Sequence, residues 1–368
     1  MFLETTTNNL EIKGKEELGL MEQISTTKRV VLAGLAALLA LGVMLFATGC
    51  SQASGGSNDS KSEPITMVWL PDNSSSDMTA SRDAVASIIK NATGRDVNLM
   101  TTTDYNVAIE ALDSGQADMG LLGPEGYVQA HEKNNAVQAA FTNSDANGTL
   151  NEACYYSRIC VPADKADEYK SGDTYSIDNI KGKSFSFVSA TSTSGFKVPS
   201  NAIVKHFGLD SSDQLLQDGE FFSSVMFGNS HQGSAVNLLS GNCDAAAFDD
   251  IDVDMYFDLV SGNPNAIGAT YKVKDDAPAP FDSLHGKEFT IIGVTPVLNS
   301  PFCYNTDKLS ADEQKAITDA FCSQDTANNQ EIFVNPDSDK KGLFEKESDK
   351  TCFLPVDDAW YDPIRELS

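Results

Sequence analysis

Basic residues are scarce in this chain. Its 368 residues include 26 lysines and arginines against 53 aspartates and glutamates, a formal net charge of -27 at pH 7. Nucleic-acid binding depends on clustered lysine and arginine side chains that neutralise phosphates, so the composition argues against a nucleic-acid partner. It also means that any bound anion must be held by local, uncharged donors, because the overall field repels it.

Metal-binding cysteine motifs are absent as well. The seven cysteines include no C-x-x-C pair and no Cys/His spacing typical of zinc, so we expect neither a metal nor a cofactor. Six cysteines remain outside the leader described next, and they allow 15 disulfide connectivities, among which the sequence does not choose. One pairing is excluded: if Cys154 and Cys160 share a strand, they lie too far apart to be bridged.

The longest apolar run is slightly short for a membrane span. It covers residues 30–46, whereas a transmembrane helix needs about 20 apolar residues. Lys28-Arg29 precede it and Ala47-Thr48-Gly49-Cys50 follow it, a pattern typical of a secretory signal. The ending resembles a bacterial lipobox, which implies cleavage before Cys50 and a lipid on its thiol. We therefore expect a protein anchored by lipid on the extracytoplasmic face of the cell membrane.

The chain divides into a leader, a tether and a folded body. Residues 1–50 form the expected signal peptide, and Met21 is a plausible true start because residues 1–20 are polar and charged. Residues 51–63 are rich in Ser, Gly, Asn and Asp, which predicts a flexible tether. About 300 residues follow, enough for two lobes with separate cores.

A hydroxyl-rich turn is the most informative segment of the body. Residues 189–195 read Ser-Ala-Thr-Ser-Thr-Ser-Gly, between a predicted strand (184–188) and a predicted helix (198–207). A helix start offers unpaired N–H groups and the positive end of the helix dipole, so an anion binds well there. The alternative interpretation is a well-capped turn without a ligand.

A helix, a glycine, an aspartate and a short apolar strand occur twice, about 126 residues apart. The first copy covers residues 109–122 and the second 235–248. Each copy predicts an amphipathic helix that ends at a C-cap glycine and is followed by a buried strand. Two copies predict two similar α/β lobes, with mostly parallel sheets and ligands beyond the carboxyl ends of the strands.

The predicted elements define the lobes. Residues 64–161 and 299–368 are expected to form lobe 1 and residues 162–298 lobe 2, with two crossings that make a hinged cleft. Strands are predicted at 65–70, 96–101, 118–122, 155–161, 184–188, 244–248, 288–294 and 300–304, and helices at 80–91, 106–114, 198–207, 234–239 and 311–321.

Several short motifs, in order, resemble the phosphate/phosphite/phosphonate-binding proteins of ABC importers, a type II periplasmic solute-binding family. The likeness runs from about Pro64 to the C terminus. The motifs are Thr103-Asp104-Tyr105, Ser114-Gly115-Gln116-Ala117-Asp118, Leu122-Gly123-Pro124-Glu125-Gly126-Tyr127, Ser192-Thr193-Ser194-Gly195 with Pro199, Ser230-His231 with Gly241 and Asp244, and the ending from Asp357 to Arg365.

The resemblance implies a two-lobe α/β fold with a hinged cleft, and a site for a small phosphorus oxyanion. It implies that Ser192, Thr193 and Ser194 hold the phosphoryl oxygens and that His231 donates a further hydrogen bond. Residues expected from the opposite side of the cleft are Tyr105, Tyr155 or Tyr156, and Tyr127; the alternative for each tyrosine, and for the histidine, is a place in the core.

Acidic residues follow the strand of the second copy. In aminophosphonate binders of the family a carboxylate near this point meets the ammonium group of the ligand, but here the best-aligned residue is Ile251. Asp249 and Asp250 are the candidate ligand-binding acids, and the alternative is a solvated acidic loop. The loop at residues 71–76 is expected to add hydroxyl donors or to be a bare turn.

Three functions remain at this point. The favoured one is a monomeric, non-enzymatic binding protein that captures phosphonate, phosphite or phosphate and delivers it to an ABC permease. A secreted hydrolase with Ser194 or Ser192 as nucleophile, His231 as base and Asp249 as orienting acid is the second, although the serines lack a Gly-x-Ser-x-Gly elbow. The third is a lipid-anchored sensor that signals to a partner.

Overall fold

The structure is a computed structural model that describes residues 63–336, 338 and 341–367. The expected signal peptide, the expected lipidation site Cys50 and nearly all of the expected tether lie outside the described residues.

Strands and helices alternate through most of the body. Their bounds are β1 Ile65–Trp69, α1 Thr79–Thr93, β2 Val97–Thr101, α2 Tyr105–Asp113, β3 Met119–Leu121, α3 Pro124–Lys133, β4 Val137–Asn143, β5 Cys154–Pro162, β6 Ser184–Phe187, α4 Val198–Phe207, β7 Ser224–Phe227, α5 His231–Leu239, β8 Ala245–Asp249, β9 Phe257–Ser261, β10 Thr270–Val273, β11 Glu288–Leu298, β12 Phe302–Asn305, α6 Ala311–Phe321 and β13 Phe353–Pro355. Shorter pieces are the helices Gln324–Ala327 and Asp362–Arg365 and the two-residue strands Lys170–Ser171, Thr174–Tyr175, Phe333–Val334 and Phe344–Glu345.

Two large sheets organise these elements. The first sheet has six strands in the order β13-β4-β12-β3-β1-β2, and the second has seven in the order β9-β10-β11-β5-β8-β6-β7. The first sheet thus combines strands from the beginning and the end of the body, whereas the second takes all of its strands from the middle. This is the topology expected when the chain crosses twice between two α/β parts.

The prediction of mostly parallel sheets is wrong, because three of the five strand pairings in the first sheet and four of the six in the second are antiparallel. β1 is parallel to β2 and β3, and β6 is parallel to β7 and β8. The long strands β5 and β11 are antiparallel, and so is β12 against β3 and β4. The reason is that strands returning from the other part of the molecule enter each sheet from the opposite end, without a crossover helix.

Each sheet is covered by its own apolar core. In the first, Phe141 stacks on Phe302 and Phe321 with ring centroids 4.8 and 4.6 Å apart. In the second, Phe185 stacks on Phe222 at 4.6 Å. Aromatic pairs at these distances add to the stabilisation that burial of their area gives.

The repeated unit is confirmed residue by residue. α2 and α5 each have nine residues, and Gly115 and Gly241 follow them with φ of +71° and +76°. The side chain of Asp118 then accepts the N–H of Thr66 at 2.6 Å, and that of Asp244 accepts the N–H of Ser184 at 3.0 Å. In both copies the aspartate therefore ties the start of one parallel strand to its neighbour.

Other predictions can be compared directly. The predicted helices 198–207 and 311–321 match α4 and α6 at both ends. Strands β4, β7, β9, β10 and β13 were not predicted. Among the residues described, no helix has the length and apolar content to cross a membrane. The six cysteines of this part of the chain are free thiols.

Candidate functional site

A small cavity of about 40 Å³ lies where strand ends of both sheets meet helix starts. By volume it has room for about three water molecules. The residues that line it are Leu70, Asp72, Asn73, Tyr105, Leu121, Leu122, Gly123, Tyr155, Ser194, His231, Asp249, Ile251, Asp252, Ser300, Leu343 and Phe344. They include three aspartates and no lysine or arginine.

The hydroxyl-rich turn forms one wall. Ser192 caps a π-helical turn at Thr193–Lys197, because its Oγ accepts the N–H of Gly195 at 3.1 Å. A side chain at Gly195 would place its Cβ 2.3 Å from Val188 Cβ, so only glycine allows this close approach. The turn is thus both a well-made cap and a part of the cavity, to which it contributes Ser194.

The side chains of Ser194, His231 and Asp249 meet at one point. His231 Nε2 lies 3.4 Å from Ser194 Oγ and 3.2 Å from Asp249 Oδ2, and Ser194 Oγ donates to the same carboxylate oxygen at 3.2 Å. Ser192 Oγ stands just behind, 3.5 Å from Nε2. All four side chains are nearly fully buried.

The backbone fixes the tautomer of His231. The N–H of Asp249 donates to His231 Nδ1 at 2.9 Å. Nδ1 is therefore an acceptor without a proton, and the neutral ring carries its proton on Nε2, facing Ser194 and Asp249. This nitrogen is an uncharged donor aimed at the cavity.

Asp72 connects the two parts of the molecule at the cavity. It lies between β1 and α1, and its carboxylate accepts the backbone N–H of His231 at 2.6 Å and the hydroxyl of Tyr105. The N–H of His231 belongs to the first turn of α5, where the helix dipole favours negative charge. A carboxylate of the chain itself thus occupies a place at which an anion is stabilised.

The loop at residues 71–76 therefore contributes a carboxylate, and the expectation that it adds hydroxyl donors is wrong. The Ser74 hydroxyl donates to Leu70 O at 2.7 Å, inside its own turn. Beside it, Asn73 donates to Asp252 at 3.3 Å, a second contact between the β1–α1 loop and the segment after β8.

The acids of the site perturb one another. Burial, followed by the charges of Asp250 and Asp72, raises the pKa of Asp249 well above its ordinary value. Burial and the charges of Asp249 and Asp72 raise the pKa of Asp252, against the opposing effect of His231. Burial and the Asp72 charge likewise raise the pKa of the Tyr105 phenol. The site thus favours the neutral, protonated forms of Asp249 and Asp252.

Several residues expected at the site are brought to the cavity: Ser194, His231, Tyr105, Tyr155 and Asp249 line it. Tyr155 and its neighbour Tyr156 alternate across β5, so only the first faces inward, while Tyr156 is half-buried near Cys154. Strand alternation decides between the two tyrosines, which the sequence left open.

Other expected residues lie elsewhere. Tyr127 is buried against Tyr361, with ring centroids 5.1 Å apart, and donates its hydroxyl to Asp358 at 2.7 Å. Asp250 accepts the N–H of Tyr156 and the side chain of Asn265, both at 2.8 Å. Neither residue lines the cavity, and each is satisfied by partners within the fold.

Thr193 acts between the two parts of the molecule. Its Oγ1 accepts the backbone N–H of Glu125, in the first turn of α3, at 2.8 Å. Lys197 approaches the Glu125 carboxylate at 3.8 Å. Thr193 therefore joins the hydroxyl turn to the start of a helix on the first sheet.

Asp72 and Asp252 are the acidic cavity residues that the sequence analysis did not select. For Asp252 the available signal was the run of acids that follows the strand of the second copy. For Asp72 the available signal was its place just after a predicted strand, where ligands gather in α/β folds. Leu343 and Phe344 had no signal, since they come from a segment without predicted structure.

The geometry does not form a hydrolase triad. In such a triad the acid holds one ring nitrogen and the serine faces the other. Here the carboxylate of Asp249 and the hydroxyl of Ser194 both approach Nε2, while Nδ1 is taken by a backbone N–H. Asp249 therefore does not orient His231 as a base for Ser194.

We assign no metal site to the cavity. Side-chain atoms of Asp72, His231 and Asp252 lie within 4.8 Å of one another. Both ring nitrogens of His231 already have protein partners, and the proton on Nε2 makes that atom a donor.

Comparisons with known proteins agree with this geometry. A curated relative, the phosphate-import protein PhnD of Mycolicibacterium smegmatis, is 28% identical over 214 residues, 56% of this chain and 63% of the relative. The match thus spans less than two thirds of the relative's length.

Solved structures share the fold. A binding protein component of an ABC phosphonate transporter from Pseudomonas aeruginosa superposes with a TM-score of 0.57 at 16% identity, over 83% of this chain and 86% of the other. PhnD1 from Prochlorococcus marinus, in complex with methylphosphonate, gives 0.56 at 16% identity, over 83% and 97%. The fold is that of type II periplasmic binding proteins.

The family model described as "ABC transporter, phosphonate, periplasmic substrate-binding protein" matches residues 67–361. Members of this family bind solutes and are not enzymes. The chain therefore belongs to the periplasmic substrate-binding proteins of phosphonate ABC transporters.

Proposed function

We propose that this protein captures a small phosphorus oxyanion, a phosphonate, phosphite or phosphate, and delivers it to the permease of an ABC importer. The observation that carries the proposal is the convergence of uncharged donors, Ser194 Oγ and His231 Nε2, on a buried cavity between two sheets. One relative named for phosphate import and one protein of similar fold solved in complex with methylphosphonate support the ligand class.

The assignment of ligand-binding roles follows the geometry. Ser194 and His231 are proposed to donate to the ligand oxygens, with Ser192 behind them and Thr193 holding the opposite helix start. The hydroxyl of Tyr155, on β5 of the second sheet, supplies a further donor, whereas the Tyr105 hydroxyl donates to Asp72 and holds that carboxylate at the cavity. Uncharged donors in a desolvated site hold an anion without requiring nearby cations.

Closure of a cleft is part of the proposal. We infer two lobes, residues 64–161 with 299–368 and residues 162–298, hinged at the two crossings. Support comes from contacts that join elements of the two sheets around the cavity: Thr193 with Glu125, Asp72 with His231, and Asn73 with Asp252. Such a set breaks when the cleft opens and forms again around a ligand.

Calorimetric titration of the purified chain tests the ligand. We expect methylphosphonate, phosphite or phosphate to bind in a one-to-one ratio, and Ser194→Ala to weaken that binding while the circular dichroism spectrum is unchanged. Absence of binding by all three anions to folded protein overturns the proposal. Transport by cells then separates an importer from a sensor: deletion of the neighbouring permease genes abolishes uptake only in the first case.

We further propose that the protein is held on the extracytoplasmic side by a lipid on Cys50 and works there as a monomer. The support is the lipobox-like sequence that ends the apolar run. Labelled palmitate is expected to be incorporated into the wild-type protein and not into the variant Cys50→Ser. If Cys50→Ser remains in the membrane fraction, the leader is an uncleaved membrane span.

A further inference from the structure

The carboxyl group of Asp249 lies at the donor cluster itself. Its Oδ2 is 3.2 Å from Ser194 Oγ and 3.2 Å from His231 Nε2, and the residue is only 2% exposed. A ligand oxygen that accepts from these two donors must take a place next to Asp249, so a bound oxyanion and this carboxyl group become direct neighbours.

Among the described residues that line the cavity there is no lysine or arginine to compensate for that neighbour. From the loop after β1 comes the carboxylate of Asp72, and from the segment after β8 come Asp250, behind Asp249, and Asp252. His231 is a neutral donor, and Tyr105 and Tyr155 contribute uncharged hydroxyls.

The nearby basic side chains have other partners. Arg158 forms a two-pronged ion pair with Asp254 at 2.6 and 2.7 Å and influences Asp250. Lys197 approaches Glu125 at 3.8 Å and does not line the cavity.

Two anions in contact in a desolvated site are strongly unfavourable unless they share a proton. Proteins meet this problem by keeping one acid neutral, so that it donates a hydrogen bond. Burial and the surrounding aspartates already push Asp249 toward its neutral form. The position of Asp249 beside the donors and the surrounding negative charges thus both favour a neutral Asp249 carboxyl group.

We propose, on the basis of the proposed function, that Asp249 selects the protonation state of the ligand: the bound oxyanion and the Asp249 carboxyl group share one proton in a hydrogen bond. Where the ligand or Asp249 is protonated before binding, the shared proton is that of the ligand P–OH or of the Asp249 carboxyl group; where both are ionised, it is taken up from the solvent. No P–O or P–C bond of the ligand breaks. The fully ionised pair is excluded, so Asp249 is a specificity-determining residue.

The test is a calorimetric titration of methylphosphonate at pH values that cross the second ionisation of the ligand and continue about two units above it. We expect the affinity of the wild type to fall at the alkaline end, by up to about tenfold per pH unit. Titration in two buffers with different ionisation heats is expected to show uptake of a proton in the same range.

The variant Asp249→Asn keeps the shape but cannot exchange a proton. Its amide donates to a fully ionised ligand, so we expect a nearly flat pH profile that crosses that of the wild type at alkaline pH. A merely structural role would lower the affinity equally at every pH. Asp258→Asn, which removes an exposed carboxylate from β9 far along the second sheet, is the matched control and is expected to keep the wild-type slope.

The other outcomes are distinct. A flat profile in the wild type overturns the inference but leaves the proposed function standing. A second result would also overturn the inference and leave the proposed function standing. It is that 2-aminoethylphosphonate binds at least about 100-fold more tightly than methylphosphonate and without proton uptake, because the acids then pair with the ammonium group of the ligand. If no phosphorus oxyanion binds at any pH, the proposed function itself fails.

Discussion

The two copies of the repeated unit differ at the ends of their strands. Both begin with a capping side chain, Asp104 or Ser230, and both place their first helical residue, Tyr105 or His231, at the cavity. From there each position in the second copy is 126 residues after its counterpart, as far as the strand. Beyond the strand, Gly123-Pro124 of the first copy corresponds to Asp249-Asp250 of the second.

The features that the two copies share build the backbone, and the strand ends, where the copies differ, provide the residues of the site. The cap, the nine-residue helix, the left-handed glycine and the aspartate that ties two strands are common to both copies, because backbone geometry requires them. The strand ends are free of that requirement. In the first copy the chain begins α3, whose Glu125 N–H meets Thr193; in the second it places an acid beside the donors.

The largest expected effect comes from substituting, one at a time, the first residues of α2 and α5, which are Tyr105 and His231. His231→Ala removes the Nε2 donor, and hydrogen bonds to charged groups contribute roughly 1.5–3 kcal/mol, so methylphosphonate affinity is expected to fall roughly 10- to 150-fold by calorimetry. Tyr105→Phe removes a hydroxyl that donates to Asp72, and the loss is expected to stay below about tenfold. His206→Ala, an exposed histidine paired with Asp178, is the control. Equal losses in both cavity variants would contradict the division of roles.

The glycines test the shared scaffold. Gly241→Ala places a Cβ in open space but at φ +76°, so its cost is backbone strain alone, roughly 1–2 kcal/mol in urea unfolding. Gly115→Ala, at φ +71°, additionally displaces the flexible end of Lys308, 2.6 Å from the new Cβ, and is expected to cost slightly more. Ligand affinity remains unchanged in both. A neutral Gly241→Ala would mean that the second copy does not need its left-handed residue.

Asp244, which ties two strands of the second sheet, predicts a pH dependence. Burial alone would raise the pKa of Asp244, but hydrogen bonds from Ser184 and the charges of Lys165 and Lys183 more than offset it, and the pKa lies below its ordinary value. Its contribution is therefore complete above the unfolded value, about pH 4, and is lost as pH falls through the lower folded value.

We expect Asp244→Asn to lose about 1 kcal/mol of unfolding free energy at neutral pH, with the difference from the wild type shrinking below about pH 4. Thermal unfolding at a series of pH values measures it. Asp118→Asn is the matched change in the first copy. A difference that grows in acid would show that the hydrogen bonds from Ser184 do not stabilise the ionised form.

The smallest expected effect concerns the contact between the hydroxyl-rich turn and the start of α3. Thr193→Val keeps the shape of the side chain but removes the acceptor for the Glu125 N–H. Because a hydrogen bond contributes roughly 0.5–1.5 kcal/mol, the ligand affinity should fall roughly threefold, mainly through faster release of the ligand. Thr191→Val, in the same turn but bonded only to Ser189, is the control. Stopped-flow release rates that are equal in the two variants would remove Thr193 from the closing contact.

Interactions between residues within about ten positions of each other were sufficient to predict the helix ends and the repeated units. The end of α4 at its glycine C-cap, the start of α6 at the capping box of Ser310, and both repeated units follow from local hydrogen bonds, left-handed glycines and hydrophobic periodicity. Ser194 of the hydroxyl turn and His231 lie at the cavity, and their place after a strand or at a helix start is visible locally. The antiparallel pairing in the sheets was not predicted, because strand order and direction depend on partners far away in the chain.

The sequence by itself determined the repeated α/β units, the hydroxyl-rich turn and the excess of acids, because each is set by neighbouring residues or by composition. Only the tertiary structure decided which acids meet the donors. The contact of Asp72 with the His231 N–H joins residues 159 positions apart, and the inward face of Tyr155 depends on strand pairing. Such contacts depend on how two separately folded sheets are placed against each other, and no local pattern encodes that placement.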